Sequence, residues 1–329
     1  MEKLTSILVV ASRTDSDRAL LEKAVHLARS IGAQINLFSC DANLARVLRH
    51  SYAGEETEKA WHICMEEHLA YLRSLRTAAR APDIQICVDA ACRSPLHEGI
   101  IDKIKEVSPD LVMKCPSGTH PLRRFAFDAN DWQLMRECPV TLMLVRSRPW
   151  RPTPKFAALV SVDEESTARL AETIIHTSEY FSLGCHGELD VVYSENSEDA
   201  QERKNHAIGL ERITREYRIG AKQVHVLNGN PEETLPEFVA RNQYDALILG
   251  ALTHRKGLAA VAGTLTSKLV DALDCDFILV KRTGTEQPEQ DVEAKTPGET
   301  HDTPADQAPP RHESSTTGSS VLWQALFGD

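Results

Sequence analysis

One ordered series of apolar runs and helical patterns occurs twice along this chain, and a long internal repeat leaves few folds open. In the first copy, residues 6–11 read as a buried strand. Residues 15–30 read as an amphipathic helix with Leu20, Leu21, Ala24, Val25 and Ala28 on one face. A strand at 35–38, a polar connection, a long helical pattern over 55–79 and a strand at 84–88 come next. Ser94-Pro95 opens a helix through Ile100, Ile101 and Ile104, followed by a strand at 110–114, a helix at 131–136 and a last strand at 140–145. The second copy runs in the same order: strand 156–162, helix 166–177, strand 189–193, helix 200–217 and strand 224–227. Asn230-Pro231 then matches Ser94-Pro95, the run from Asp245 to Gly250 matches Asp110 to Cys115, and Cys275 matches Cys138 ahead of the final strand.

Strands alternating with helices require right-handed crossovers and a mainly parallel sheet. The expectation is therefore an α/β protein of two tandem doubly wound units, each a mainly parallel five-stranded sheet flanked by helices. Residues 1–147 form the first unit and 155–282 the second, joined by a segment marked by Pro149, Pro152 and Pro154. A length of 329 residues suits this division, at roughly 150 residues per domain. From Thr283 the composition turns to Glu, Pro, Thr, Gln and Ser, too poor in apolar surface to offset chain entropy, and 283–329 is expected to be an acidic, disordered tail. It ends in an apolar patch around Leu322, Trp323, Leu326 and Phe327 that could dock on a partner or stay loose.

Charge and cysteine usage narrow the class. Of the net charge of −11, the tail holds −7, which leaves −4 for the first 282 residues and no global field to attract nucleic acid. No apolar run approaches the ~18 residues of a membrane span, and the N-terminus enters a strand without the regions of a signal peptide. The eight scattered cysteines, with no CxxC pair, suit free thiols in a reducing compartment, so a cytoplasmic location is expected.

In a parallel sheet of this kind, ligands sit beyond the carboxyl ends of the strands. In the second copy those ends present Asp163 and the loop that begins at Gly250. Asp163 can accept from an adenine amino group or a ribose hydroxyl, and Gly250 removes side-chain bulk. Gly263-Thr264 opens a helix whose N–H groups and hydroxyl suit phosphates, with His254, Arg255 and Lys256 in the same loop. The other reading is that Gly250 and Gly263 serve only turns and close packing.

The tandem copies, Asp163, the run from Gly250 to Gly263-Thr264 and the Cys-then-apolar final strands resemble the universal stress protein family in its tandem form, over residues 1–282. The resemblance implies an adenine nucleotide alpha hydrolase-like fold, binding of ATP with Mg, frequent homodimers, an unidentified protein partner and a stress-response role that is regulatory rather than enzymatic. The family's ATP pattern is Gly-x2-Gly-x9-Gly-Ser/Thr. Asp163, Gly250, Gly263 and Thr264 match it, Thr266 falls where a further hydroxyl is common, and Thr253 stands at the second glycine. A β-branched residue tolerates positive φ poorly, so Thr253 bears directly on affinity. In the first copy Ser12 stands opposite Asp163, Cys115 opposite Gly250 and Asp128 near Gly263, which implies no ATP site of the family type there. Two alternatives stay open: a slow ATP hydrolase using the same pocket, and a scaffold that binds no nucleotide.

Three weaker constellations remain. Cys64 and His68 are i, i+4 on the long helix, near His62 and Glu67, as a transition-metal pair or a solvated face with a buried thiol. Cys185-His186 could titrate together. The run from Lys114 to His120 with Arg123 and Arg124 could hold an anion or form a surface loop.

Overall fold

A computed structural model describes residues 4–49, 54–120, 123–162, 165–251, 268–270 and 273–281. The first repeat contains β1 (Ser6–Ala11), α1 (Ser16–Ile31), β2 (Gln34–Cys40), α2 (Ala42–Arg49), α3 (Glu55–Ala78), β3 (Ile86–Ala91), α4 (Leu96–Val107) and β4 (Leu111–Lys114). A hairpin of β5 (Gly118–His120) and β6 (Arg123–Ala126), then α5 (Ala129–Glu137) and β7 (Thr141–Leu144), complete it. The second repeat contains β8 (Lys155–Val160), α6 (Glu165–Gly184), β9 (Glu188–Glu195), α7 (Ala200–Glu216), β10 (Val224–Asn228), α8 (Pro231–Asn242), β11 (Ala246–Gly250) and β12 (Asp276–Val280).

The strands form one ten-stranded sheet in the order β10-β9-β8-β11-β12-β7-β4-β1-β2-β3. Each repeat supplies a parallel five-stranded sheet, as expected. Beyond that expectation, the fifth strands of the two repeats pair antiparallel at the centre through Phe277↔Leu144, Ile278↔Met143 and Leu279↔Leu142. The strand order is thus palindromic about the Ile278–Met143 pair. Helices cover both faces, which explains why strands such as β1 are apolar from Ile7 onward: Ile7, Val9 and Ala11 join the core under α1, α3, α6 and α7, while Leu8 and Val10 join the core under α4, α5 and α8.

The repeat extends to single hydrogen bonds. Ser108 and Gln243 end α4 and α8 in the left-handed conformation, with φ of 45° and 53°. Two residues later, the Asp110 carboxylate accepts the Thr5 and Ser6 amides, and the Asp245 carboxylate accepts the Lys155 amide. The same aspartates donate their own amides to Ser6 and Lys155 carbonyls at 2.9 and 2.8 Å. An aspartate before the fourth strand therefore ties it to the start of the first strand in both copies.

A buried polar knot fastens the copies to each other. The Asp276 carboxylate, at the start of β12, accepts from Lys23 of α1 (2.7 Å), from the Arg146 amide (2.7 Å) and from the Trp150 indole (2.7 Å). Lys23 also donates to the Arg146 carbonyl at 2.9 Å. Burial pushes the Asp276 carboxyl above its ordinary range, against the opposing pull of Lys23. Arg148 and Arg151 of the linker reach back to the Tyr244 carbonyl and the Asp245 carboxylate.

Three sequence expectations change. Residues 42–49 form α2 rather than a plain connection, because Asp41 accepts the Leu44 amide at 2.7 Å and caps it. Residues 118–126 contain a two-stranded hairpin where a loop was one of two readings. Helix α6 runs on to Gly184, past the expected end at 177, with Phe181 fully buried. The tail, 283–329, lies outside the described residues, as does its apolar end.

Candidate functional site at the carboxyl ends of the strands

In each copy the third-second-first-fourth-fifth strand order reverses direction between the first and fourth strands, the place where an open α/β sheet leaves a crevice. In the second copy these are β8 and β11. Their ladder runs from Ala246↔Phe156 to Ile248↔Ala158, whereas β11 continues against β12 to Gly250↔Val280 and β8 against β9 to Val160↔Tyr193. The last two residues of β8 and β11 thus pair outward but not with each other, and the sheet opens there. Gly250 sits at this mouth. A Cβ built on it would meet Leu170 of α6 at 2.6 Å, so the missing side chain admits Leu170 as well as any ligand. Of the expected ATP residues only Gly250 is placed; Asp163, Thr253, Gly263, Thr264 and Thr266 lie outside the described residues, together with His254, Arg255 and Lys256.

The corresponding corner of the first copy is filled by the chain itself. After β1, the Asp17 carboxylate accepts the Ser12 amide (3.0 Å), the Thr14 amide (3.1 Å) and the Tyr71 hydroxyl (2.8 Å). At the other side, Asp128 caps α5 by accepting the Asp131 amide at 2.8 Å. The Asp131 carboxylate takes the Ser117 amide at 2.8 Å and Lys114 Nζ at 2.6 Å. Lys114 and Asp131 are both fully buried. The run from Lys114 onward, read as an anion loop or a surface loop, is thus anchored by an internal ion pair. Helix α5 presents two carboxylates where a phosphate-binding helix presents free N–H groups.

A third constellation, only half visible in the sequence, repeats at the end of the second strand of each copy. Two-residue spacing puts Ser39 and Asp41 at the end of β2, and His68 of α3 bridges them: Ser39 Oγ to His68 Nδ1 is 2.9 Å, and His68 Nε2 to Asp41 Oδ2 is 3.3 Å. In the second copy Tyr193 and Glu195 have the same spacing on β9, and His206 of α7 lies 3.0 Å from each. Cys64 joins the first cluster only, its thiol 3.3 Å from Asp41 Oδ2. His62 and Glu67, the other residues near the Cys64–His68 pair, are exposed. Cys185 is buried behind α6, where burial pushes its thiol up to about 12, and with His186 it forms a tight turn after the helix.

The hydrogen bond from His68, aided by the Leu44 amide, holds the Asp41 carboxyl well below the usual carboxylate range. A depressed acid stabilises the fold above its unfolded pKa of about 4 and loses that contribution as pH falls further. The expected outcome is that the melting temperature of Asp41→Asn falls less between pH 5 and pH 3 than that of the unaltered protein. Parallel curves over that interval would contradict it.

Comparison with known proteins agrees with this architecture. The universal stress protein family model matches residues 3–146 and 155–281, one match per repeat. Universal stress protein E of Salmonella typhi is 24% identical over 302 residues, covering 85% of this chain and 95% of its own, and that of Escherichia coli K12 is 23% identical with the same coverage. Among solved structures, a putative universal stress protein from Pseudomonas aeruginosa UCBPP-PA14 superposes with a TM-score of 0.67 at 20% identity, covering 84% of this chain and 93% of its own. A universal stress protein from Archaeoglobus fulgidus does so with 0.64 at 12% identity, covering 86% and 100%. No helix among the described residues is long and apolar enough to cross a membrane. With a family match on each repeat and relatives that span nearly their whole length on it, this chain belongs to the universal stress protein family, in its tandem form.

Proposed function

We infer that the protein is a cytoplasmic stress-response binding and regulatory module whose single adenine-nucleotide site lies in the second domain, 155–282. The observation that carries this reading is the contrast between the two switch points. The β8–β11 ladder stops short of the strand ends at Gly250, while the equivalent corner of the domain 1–147 is closed by Asp17, Asp128, Asp131 and Lys114. The family pattern at Asp163, Gly250, Gly263 and Thr264 falls in the copy whose ladder stops short. In this reading Asp163 holds the adenine or ribose, while Thr264 and Thr266 with Mg hold the phosphates of ATP. Thr253, in place of a glycine, narrows the approach. The sequence offers no evident general base near Gly263-Thr264, which favours binding over turnover in this reading. The antiparallel β7–β12 pair gives one chain a two-fold-like arrangement of domains, so a homodimer is not needed to bring two such domains together, and protein partners would meet a pseudo-symmetric body.

The test is titration of the protein and of Thr264→Ala with ATP and Mg. Loss of one hydrogen bond to a charged phosphate is worth about 1.5–3 kcal/mol, so affinity should fall by roughly tenfold or more. Equal affinities would contradict the assignment of the phosphate position. Steady release of phosphate above background that is lost in Thr264→Ala would replace the binding role with slow hydrolysis.

A further inference from the structure

We propose that Asp41, Cys64 and His68 form a binding site for a soft divalent cation of the zinc class, in the first domain and apart from the nucleotide crevice. The three side chains offer one carboxylate oxygen, one sulfur and one imidazole nitrogen, and these atoms all lie within 4.8 Å of one another. Two of the separations, Cys64 Sγ to Asp41 Oδ2 and His68 Nε2 to Asp41 Oδ2, are 3.3 Å each. Tetrahedral zinc, with bonds of about 2.0–2.3 Å, sets its ligand atoms about 3.3–3.7 Å apart, so the cluster needs little rearrangement to close on an ion.

The surroundings suit a metal as well. His68 is buried, and its Nδ1 faces Ser39 Oγ at 2.9 Å, the kind of outer partner that fixes a ligand ring in place. On binding, the proton that Nε2 shares with Asp41 gives way to one on Nδ1 donated to Ser39, a change of tautomer that frees the Nε2 lone pair for the cation. Asp41 is held by α2, whose Leu44 amide it accepts, and by its own amide, which donates to the Ala91 carbonyl. A water can take the fourth position. Binding replaces the Cys64 S–H bond with a sulfur–metal bond and releases that proton to solvent. The two negative charges of Asp41 and Cys64 then balance the ion, and no oxidant or reductant takes part. The second domain shows that the fold itself does not ask for a thiol here: it keeps the carboxylate and histidine as Glu195 and His206, but the residue four before His206 is Glu202, which accepts from Ser197. A sulfur, oxygen and nitrogen set selects against calcium and magnesium, which take oxygen ligands.

The full-length protein, stripped with a chelator, is titrated with Co²⁺. The expected result is a near-ultraviolet thiolate-to-cobalt band that saturates at one equivalent and is bleached by one equivalent of Zn²⁺. In Cys64→Ser, with an unchanged far-ultraviolet circular dichroism spectrum, the band should vanish although Glu195 and His206 remain. A second measurement needs no substitution: Zn²⁺ should protect Cys64 of the native protein from alkylation, read by peptide mass spectrometry. Absence of the band at one equivalent, its persistence in Cys64→Ser, or equal alkylation with and without Zn²⁺ would each overturn the proposal.

Discussion

Replacing Asp276 by alanine is expected to lower the unfolding free energy by about 3–5 kcal/mol, the cost of leaving one partner of a buried pair uncompensated. Among the described residues Lys23 would keep the Arg146 carbonyl, and the Arg146 amide and Trp150 indole would lose the Asp276 carboxylate. In a body of this size a kelvin-scale reading is easy, since each kcal/mol moves the midpoint by about 2–4 °C. The effect should be seen in thermal and urea unfolding alike. Lys23→Met combined with Asp276→Asn should recover a large part of the loss, because the stranded charge is gone and the asparagine oxygen still serves the Arg146 amide. A single variant within about 0.5 kcal/mol of the parent, the range of ordinary surface changes, would mean the knot does not fasten the two copies.

The second large effect is expected at Asp131. Its carboxylate is fully buried and answers Lys114 at 2.6 Å and the Ser117 amide at 2.8 Å, besides closing the capping box of α5. Asp131→Ala removes all three, so a loss of about 3–5 kcal/mol is again expected from the unpaired Lys114. Lys114→Met with Asp131→Asn should be far milder, because an apolar side chain of similar length replaces the charge. If the single and double variants were equally destabilised, the stranded Lys114 charge would not be the source of the loss and the ion-pair account would be contradicted. Equilibrium denaturation of both variants decides this.

Much of this architecture is legible in the order of the amino acids. The succession of elements, the match of Asp110 with Asp245 and the Cys-bearing approach to the last strands all follow from apolar periodicity, because each repeat has to bury the same surfaces. The fusion into one ten-stranded sheet is not legible. A strand such as 141–144 is apolar on both faces whether its free edge is bare or paired with β12, and only backbone groups distinguish the two. Likewise Cys64 and His68 announce themselves by their i, i+4 spacing, but Asp41 enters their cluster only because β2 and α3 pack side by side. The Lys114–Asp131 pair hides for the same reason: seventeen residues and a hairpin separate its members. At the mouth between β8 and β11, Gly250 proves to have a packing neighbour, Leu170, that spacing alone does not reveal.

The most direct measurement of the division of labour between the two domains is the molar ratio of ATP bound in the presence of Mg, determined by calorimetric titration of the full-length chain. A ratio near one is expected, with the Asp163→Ala chain binding markedly more weakly. A ratio near two would contradict the closed first-domain corner, and no heat of binding at millimolar ATP would contradict the nucleotide site altogether.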